Sequence, residues 1–393
     1  MINLHFLKIV LFFIFPIFLW SQSIQKINRS DSYEDLKQAF INSQGNDTKQ
    51  LHYANAYIKR AQIQKSNINL SRGYFLLSNL FEGAKCMQYL DISIKYAKNT
   101  DDIKFPALSY SKKAYELKKQ FRFDEALANF FMAEKYAKRN NLDFYYNVKH
   151  SIGMLRSEEL GQVEEALVLY RECFNYFKKK DVRSPKYATE YHNVLFALAD
   201  AHKSLKNLDS TSYYNKKGYQ ESKATNDNYY ISYFILNEGA NQVLKKNYKA
   251  ALDSVNKALP QIILDKNYGN ILAAYFYLGK SYAGMGNEKK AVQNYIKVDS
   301  MYVLNKRIIP EFIAGYSYLI EHYKQTGDKA QQLKFLSRFT KINSILQTDY
   351  KQLSKVLFKD YDTPHLFAKK ESMIQSLTKK TIDLFDLVLD FNC

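Results

Sequence analysis

Proline and glycine are scarce in this chain of 393 residues, at 6 and 13, and tryptophan occurs once. So few breaker residues suit long helices joined by short turns better than a strand-rich fold, whose hairpins and bulges consume glycine. Cysteine is scarcer: Cys86, Cys173 and Cys393 are odd in number and far apart, so neither a disulfide framework nor a metal site follows. Arginine is also thin, 10 of the 57 basic residues. The net charge of +18 therefore rests on lysines spread over every expected helix, which reads as a solvated surface and not as a nucleic-acid stripe. Long apolar runs are missing except at the start, where Lys8 precedes Ile9 to Leu19. Eleven residues are too few for a bilayer core of about 30 Å, which needs about 20. Residues 1–21 read as a secretory signal peptide cut after Ser21, with an uncleaved anchor as the alternative. The chain is thus expected to be exported, periplasmic, and in contact with membrane only through that segment if it is retained; the anchored alternative places it at the inner membrane.

What the chain does have is apolar and aromatic material, 46% hydrophobic with 33 Tyr and 26 Phe, enough for a large core. Its organisation is plainest in residues 272–298, where two helical stretches meet at Gly284-Met285-Gly286-Asn287. Leu278-Gly279 and Tyr282 lie on the first stretch, and Ala291, Tyr295 and Val298 on the second. That is the spacing of a tetratricopeptide (TPR) hairpin of about 34 residues, with Tyr275 in place of the usual tryptophan. Gly279 is expected to face Ala291 so that the helices approach closely. The small second-helix position recurs at Cys86, Ala126, Ala166, Thr211, Ala251, Ala291 and Gln332, in steps of 40, 40, 45, 40, 40 and 41. Such a period means a solenoid, because one hairpin cannot bury its own apolar face. The expected fold is all-α, a right-handed superhelical solenoid of about seven TPR-like units over residues 22–340. Residues 31–64 supply an N-terminal capping pair, and Arg183-Ser184-Pro185 marks a longer loop. A helical extension over 341–380 follows, interrupted at Thr363-Pro364, with Met373, Ile374 and Leu377 as a thin stripe for self-association. The end, 381–393, is an atypical apolar tail of the kind a frameshift leaves.

Chemistry is hard to find. Ala274 to Ser281 satisfies a loose phosphate-loop pattern through Gly279-Lys280-Ser281, but three aromatics and a leucine on a helix replace the flexible backbone that a phosphate needs. The seven histidines show no ligand spacing, and no nucleophile elbow or HExxH occurs. The reading is of a non-catalytic protein with no cofactor and no metal. First helices of stacked hairpins line a groove that suits an extended peptide or protein segment. The groove candidates are Phe196, Asp200, Lys203, Asn237, Asn241, Phe276 and Lys280, the two asparagines being placed to hold a peptide backbone by their amides.

The repeat string, with Leu198-Ala-Asp-Ala201, Leu236-Asn-Glu-Gly239, Asn247-Tyr-Lys-Ala-Ala251, Tyr277-Leu-Gly-Lys280 and Tyr361-Asp-Thr-Pro364, resembles the membrane-bound TPR regulators of Bacteroidetes. In that family an exported TPR array precedes one membrane helix and a cytoplasmic AraC-type helix-turn-helix domain. The resemblance covers residues 24–380 and implies the exported sensor portion of a one-component transcription regulator. The sequence departs from the family where it ends, with neither the membrane helix nor the helix-turn-helix domain, so a shortened sensor portion with no direct nucleic-acid contact is expected. A free-standing periplasmic scaffold for another exported protein is the alternative.

Overall fold

The computed structural model describes residues 32–356. The signal segment, the stripe around Ile374 and the 381–393 tail lie outside them. Sixteen α-helices follow one another: α1 (Tyr33–Asn42), α2 (Asp47–Ile63), α3 (Asn67–Ser78), α4 (Gly83–Ala97), α5 (Ala107–Lys119), α6 (Phe123–Asn140), α7 (Leu142–Leu160) and α8 (Val163–Phe177) come first. Then come α9 (Ala188–Ser204), α10 (Leu208–Ala224), α11 (Asn228–Leu244), α12 (Tyr248–Leu264), α13 (Tyr268–Gly284), α14 (Glu288–Asn305), α15 (Ala314–Gln325) and α16 (Lys329–Val356). A 3-10 turn, Pro310–Ile313, precedes α15. No strand occurs among the described residues, and none of their helices is long and apolar enough to cross a membrane.

The scarcity of glycine is met in the turns by lysine and asparagine. Lys65, Lys206, Asn226, Lys246 and Lys266 take the left-handed conformation, with φ between 51° and 62°. At all but Lys266 this lets the next residue's N–H reach back to a carbonyl of the finished helix, as Asn247 does to Gln242 at 2.9 Å. That next residue then opens the following helix. At Ser66, Asp227 and Asn267 its side chain accepts a backbone N–H of the new first turn. Three residues thus end one helix and start the next.

The described residues form two compact units, one ending at Gln120 and the other starting at Phe121. In the first, α1 and α2 make the expected capping pair, opened by the reciprocal hydrogen bonds of Ser32 and Asp35. Phe40, Ala54, Ile58, Ala61, Leu70 and Leu77 form a shared core. Between α3, α4 and α5 a buried chain of hydroxyls runs Ser71, Ser93, Ser109 at 3.0 and 2.8 Å, which satisfies polar groups that burial would otherwise penalise.

The second unit stacks α7/α8, α9/α10, α11/α12, α13/α14 and α15/α16 as antiparallel pairs. Ala166, Ala251 and Ala291 are fully buried at the second-helix positions, as is Ala126 on α6. Across from α14, Gly279 lies nearest to Tyr295, one turn on from Ala291. A Cβ built on Gly279 would stand 2.7 Å from the Tyr295 ring, so the glycine makes room for the aromatic of the second helix. Gly153 holds the same relation to Tyr170, at 2.6 Å. First helices touch in succession, α7 to α9, α9 to α11 and α11 to α13, and α16 returns to meet α6 and α7. This unit therefore curls until its last described helix rests against its first ones.

Candidate functional site at the concave face

Aligning α11 on α13 through Gly239 and Gly279 equates Tyr233, Leu236 and Ala240 with Ala273, Phe276 and Lys280. Asn237 and Asn241 fall one residue off that face, and the structure corrects their assignment. Both are buried, at 3% and 0% exposure, against α10. The Asn237 amide donates to Asn215 Oδ1 at 3.1 Å; that of Asn241 donates to the Leu208 carbonyl at 3.1 Å and Ser212 Oγ at 2.8 Å. Both amide NH2 groups donate inside the fold, and a slip of one residue turns a helical side chain by about 100°.

The other candidates divide by helix. On α9, Phe196 and Asp200 are half-buried, and Phe196 lies 6.1 Å from the Tyr233 ring and 5.8 Å from that of Phe234. Near them Asn147 of α7 and Glu190 and Asn193 of α9 are also half-exposed, with the Asn147 amide 3.4 Å from the Glu190 carboxylate. On α13 the position is closed. Phe276 is 1% exposed and Lys280 lies over its ring at 5.6 Å.

Lys203, at the end of α9, is buried within a cluster drawn from three elements. Its ammonium donates to Asp200 Oδ1 at 2.6 Å and to the Tyr277 hydroxyl at 3.1 Å, with Glu311 Oε2 4.0 Å away. Tyr277 in turn donates to Glu311 Oε1 at 2.7 Å. Burial works against the lysine's charge, yet Asp200, Tyr277 and Glu311 together hold its pKa well above the ordinary value. Burial first, and then Glu311, push the Tyr277 hydroxyl up. The cluster keeps an ammonium beside carboxylates and a neutral phenol.

The segment Lys306 to Ile313 brings Glu311 there, and nothing in the repeat pattern announced it. Phe312 of the same segment is 6% exposed, its ring 5.0 Å from Phe276 and 6.0 Å from Tyr277. Arg307 pairs with Glu159 at the end of α7 and stacks 4.2 Å above the Phe123 ring. Tyr277, Glu311, Phe312, Arg307 and Glu159 were thus missed by sequence reasoning. The step from Ala291 to Gln332 is close to the others because α15, with 12 residues, is shorter than the 17-residue α9, α11 and α13. The lost helix offsets the added segment. Pro310 was the one available sign.

Cys173 donates to the Tyr146 carbonyl at 3.3 Å, and burial pushes its thiol up to about 12, as suits a small packed residue. Among the described residues no cluster of His, Cys, Asp and Glu is placed to hold a metal ion.

No protein family model and no curated protein matches the chain. Solved structures do. The apo form of RapI superposes with a TM-score of 0.53 at 14% identity, over 68% of this chain and 97% of that one. A Rap protein complexed with competence and sporulation factor gives 0.52 at 13% identity, over 88% and 96%. A tetratricopeptide repeat protein from Parabacteroides merdae ATCC 43184 gives 0.47 at 13% identity, over 75% and 99%. At such identities the likeness is one of fold: this chain is an all-α, TPR-like helical-repeat solenoid.

Proposed function

We propose that the protein is a non-catalytic module that binds an extended peptide or protein segment along the first helices of its second unit. The observation that carries this is the half-exposed row of Asn147, Glu190, Asn193, Phe196 and Asp200 on α7 and α9. Each amide there has one end engaged, Asn147 donating to Glu190 and Asn193 accepting from the Tyr230 hydroxyl, so the other end suits a peptide backbone and the aromatic suits a side chain. The Rap structure holding competence and sporulation factor supports the reading by fold alone. Panning a random peptide-display library on the purified protein tests it. Enriched peptides should lose binding to Phe196→Ala and Asp200→Arg; retention on both variants would place binding elsewhere.

The module's setting follows from the segments that resemble the Bacteroidetes regulators. In this reading it is exported and corresponds to the sensor portion of an AraC-type one-component regulator. Sequencing the surrounding locus and locating the protein by protease accessibility in intact and osmotically shocked cells test this. A locus lacking both a membrane helix and a helix-turn-helix domain around an exported protein would make it a periplasmic scaffold instead.

A further inference from the structure

The connection between α14 and α15 does more than join two helices. Elsewhere in this unit α10 and α11, α11 and α12, and α12 and α13 are linked by three residues each, 225–227, 245–247 and 265–267, while the ten residues 178–187 join α8 to α9. Lys306 to Ile313 is longer than the three-residue links, and its side chains reach four helices that the junction itself does not require. Arg307 meets α6 and α7, Glu311 meets α9 and α13, and Phe312 meets α13.

Where it lands matters as much. Phe312 covers Phe276, the residue that the repeat register places on the ligand-facing side of α13, and the Glu311 carboxylate takes the Tyr277 hydroxyl and faces the Lys203 ammonium. The segment is held by few buried groups. Ile308 and Phe312 are buried, whereas Pro310 and Glu311 are exposed and Arg307 and Ile309 half-buried. An aromatic ring in an aromatic seat, next to a carboxylate on an ammonium and a phenol, is how a peptide side-chain pair would be recognised there.

We infer that residues 306–313 are a resident occupant of the ligand's place, and that the external ligand is a peptide carrying an acidic residue immediately followed by a large aromatic one. It displaces the segment by putting its own carboxylate on Lys203 and Tyr277 and its own ring on Phe276. The inference rests on the proposed peptide-binding function and names the chemistry its ligand must have. A tethered competitor present at a high effective concentration lowers the affinity for any external peptide by the fraction of time the seat is free.

The test uses a fluorescein-labelled peptide with the sequence of residues 307–313 and fluorescence anisotropy on the full chain. Binding to the Glu311→Ala/Phe312→Ala double variant should be at least about tenfold tighter than to wild type, since the tethered competitor is gone. Adding Lys203→Ala should abolish the gain, and glutamine for glutamate in the peptide should weaken it. Equal affinity for wild type and double variant, or indifference to Lys203→Ala, would overturn the inference. Should circular dichroism show the double variant unfolded, Glu311→Gln alone keeps the side chain's size and loses its charge. It should bind the peptide several-fold more tightly than wild type, and unchanged affinity counts against the inference. Panning the random library on the variant that folds separates the two readings. Enriched peptides lacking an acidic–aromatic pair would overturn the ligand chemistry and leave peptide binding standing; no enriched peptide at all would overturn both.

Discussion

The Lys203 ammonium donates a 3.1 Å hydrogen bond to the Tyr277 hydroxyl across 74 residues of sequence, which ties α9 to α13 over the intervening hairpin. Lys203→Met keeps the aliphatic stem and deletes the charge. Because Asp200 and Glu311 are about a third exposed and rehydrate, the cost should stay below the 3–5 kcal/mol of a fully buried broken pair, at about 2 kcal/mol. Urea denaturation measures it, and an unchanged midpoint would show that the cluster adds nothing to folding.

Gly279 and Tyr295 form the close contact of the best-formed hairpin. Gly279→Leu should wedge α13 from α14 and cost about 1–3 kcal/mol. Combined with Tyr295→Ala, which vacates the space, the loss should be smaller than the sum of the single losses. Strict additivity would mean the two positions do not compete for one volume.

Lys246 turns the chain at φ 62° with its side chain exposed. A Cβ is disfavoured in that region, so Lys246→Gly should stabilise by about 0.5–1 kcal/mol net of glycine's extra chain entropy. A lowered melting temperature would contradict it.

Glu134 on α6 is 8% exposed, and burial raises its pKa from 4.5 to about 7 against the opposing pull of Lys149. A raised folded-state pKa means that the folded protein binds the extra proton between those values, so this group's contribution falls as pH rises from about 4.5 to 7. Glu134→Gln should therefore gain stability over wild type at pH 8, by up to about 3 kcal/mol, with the gain gone at pH 4. A gain independent of pH would assign the effect to packing.

The repeat was legible because its physics is local and periodic. The small positions from Cys86 to Gln332 all fall on second helices, and the capping pair and the long loop near Pro185 appear where spacing put them. The site was less legible. Asn237 and Asn241 were misplaced by one residue, an error that hydrophobic pattern cannot detect in α11, where nearly every position is apolar or buried. Glu311 and Phe312 escaped because a shorter α15 hides their segment inside an almost constant period. The pairing of Lys203 with Glu311, and of Arg307 with Glu159, depends on how far this unit curls, which no single repeat encodes.

In the proposed complex the ligand lies along α7 and α9 of the second unit. A photoreactive benzoylphenylalanine in a display-selected peptide, irradiated in complex with the full chain and mapped by peptide mass spectrometry, tests this most directly. Cross-links are expected within Asn193 to Lys203 and around Asn147, lost on Phe196→Ala. Cross-links confined to the second helices α8, α10 and α12 would contradict it.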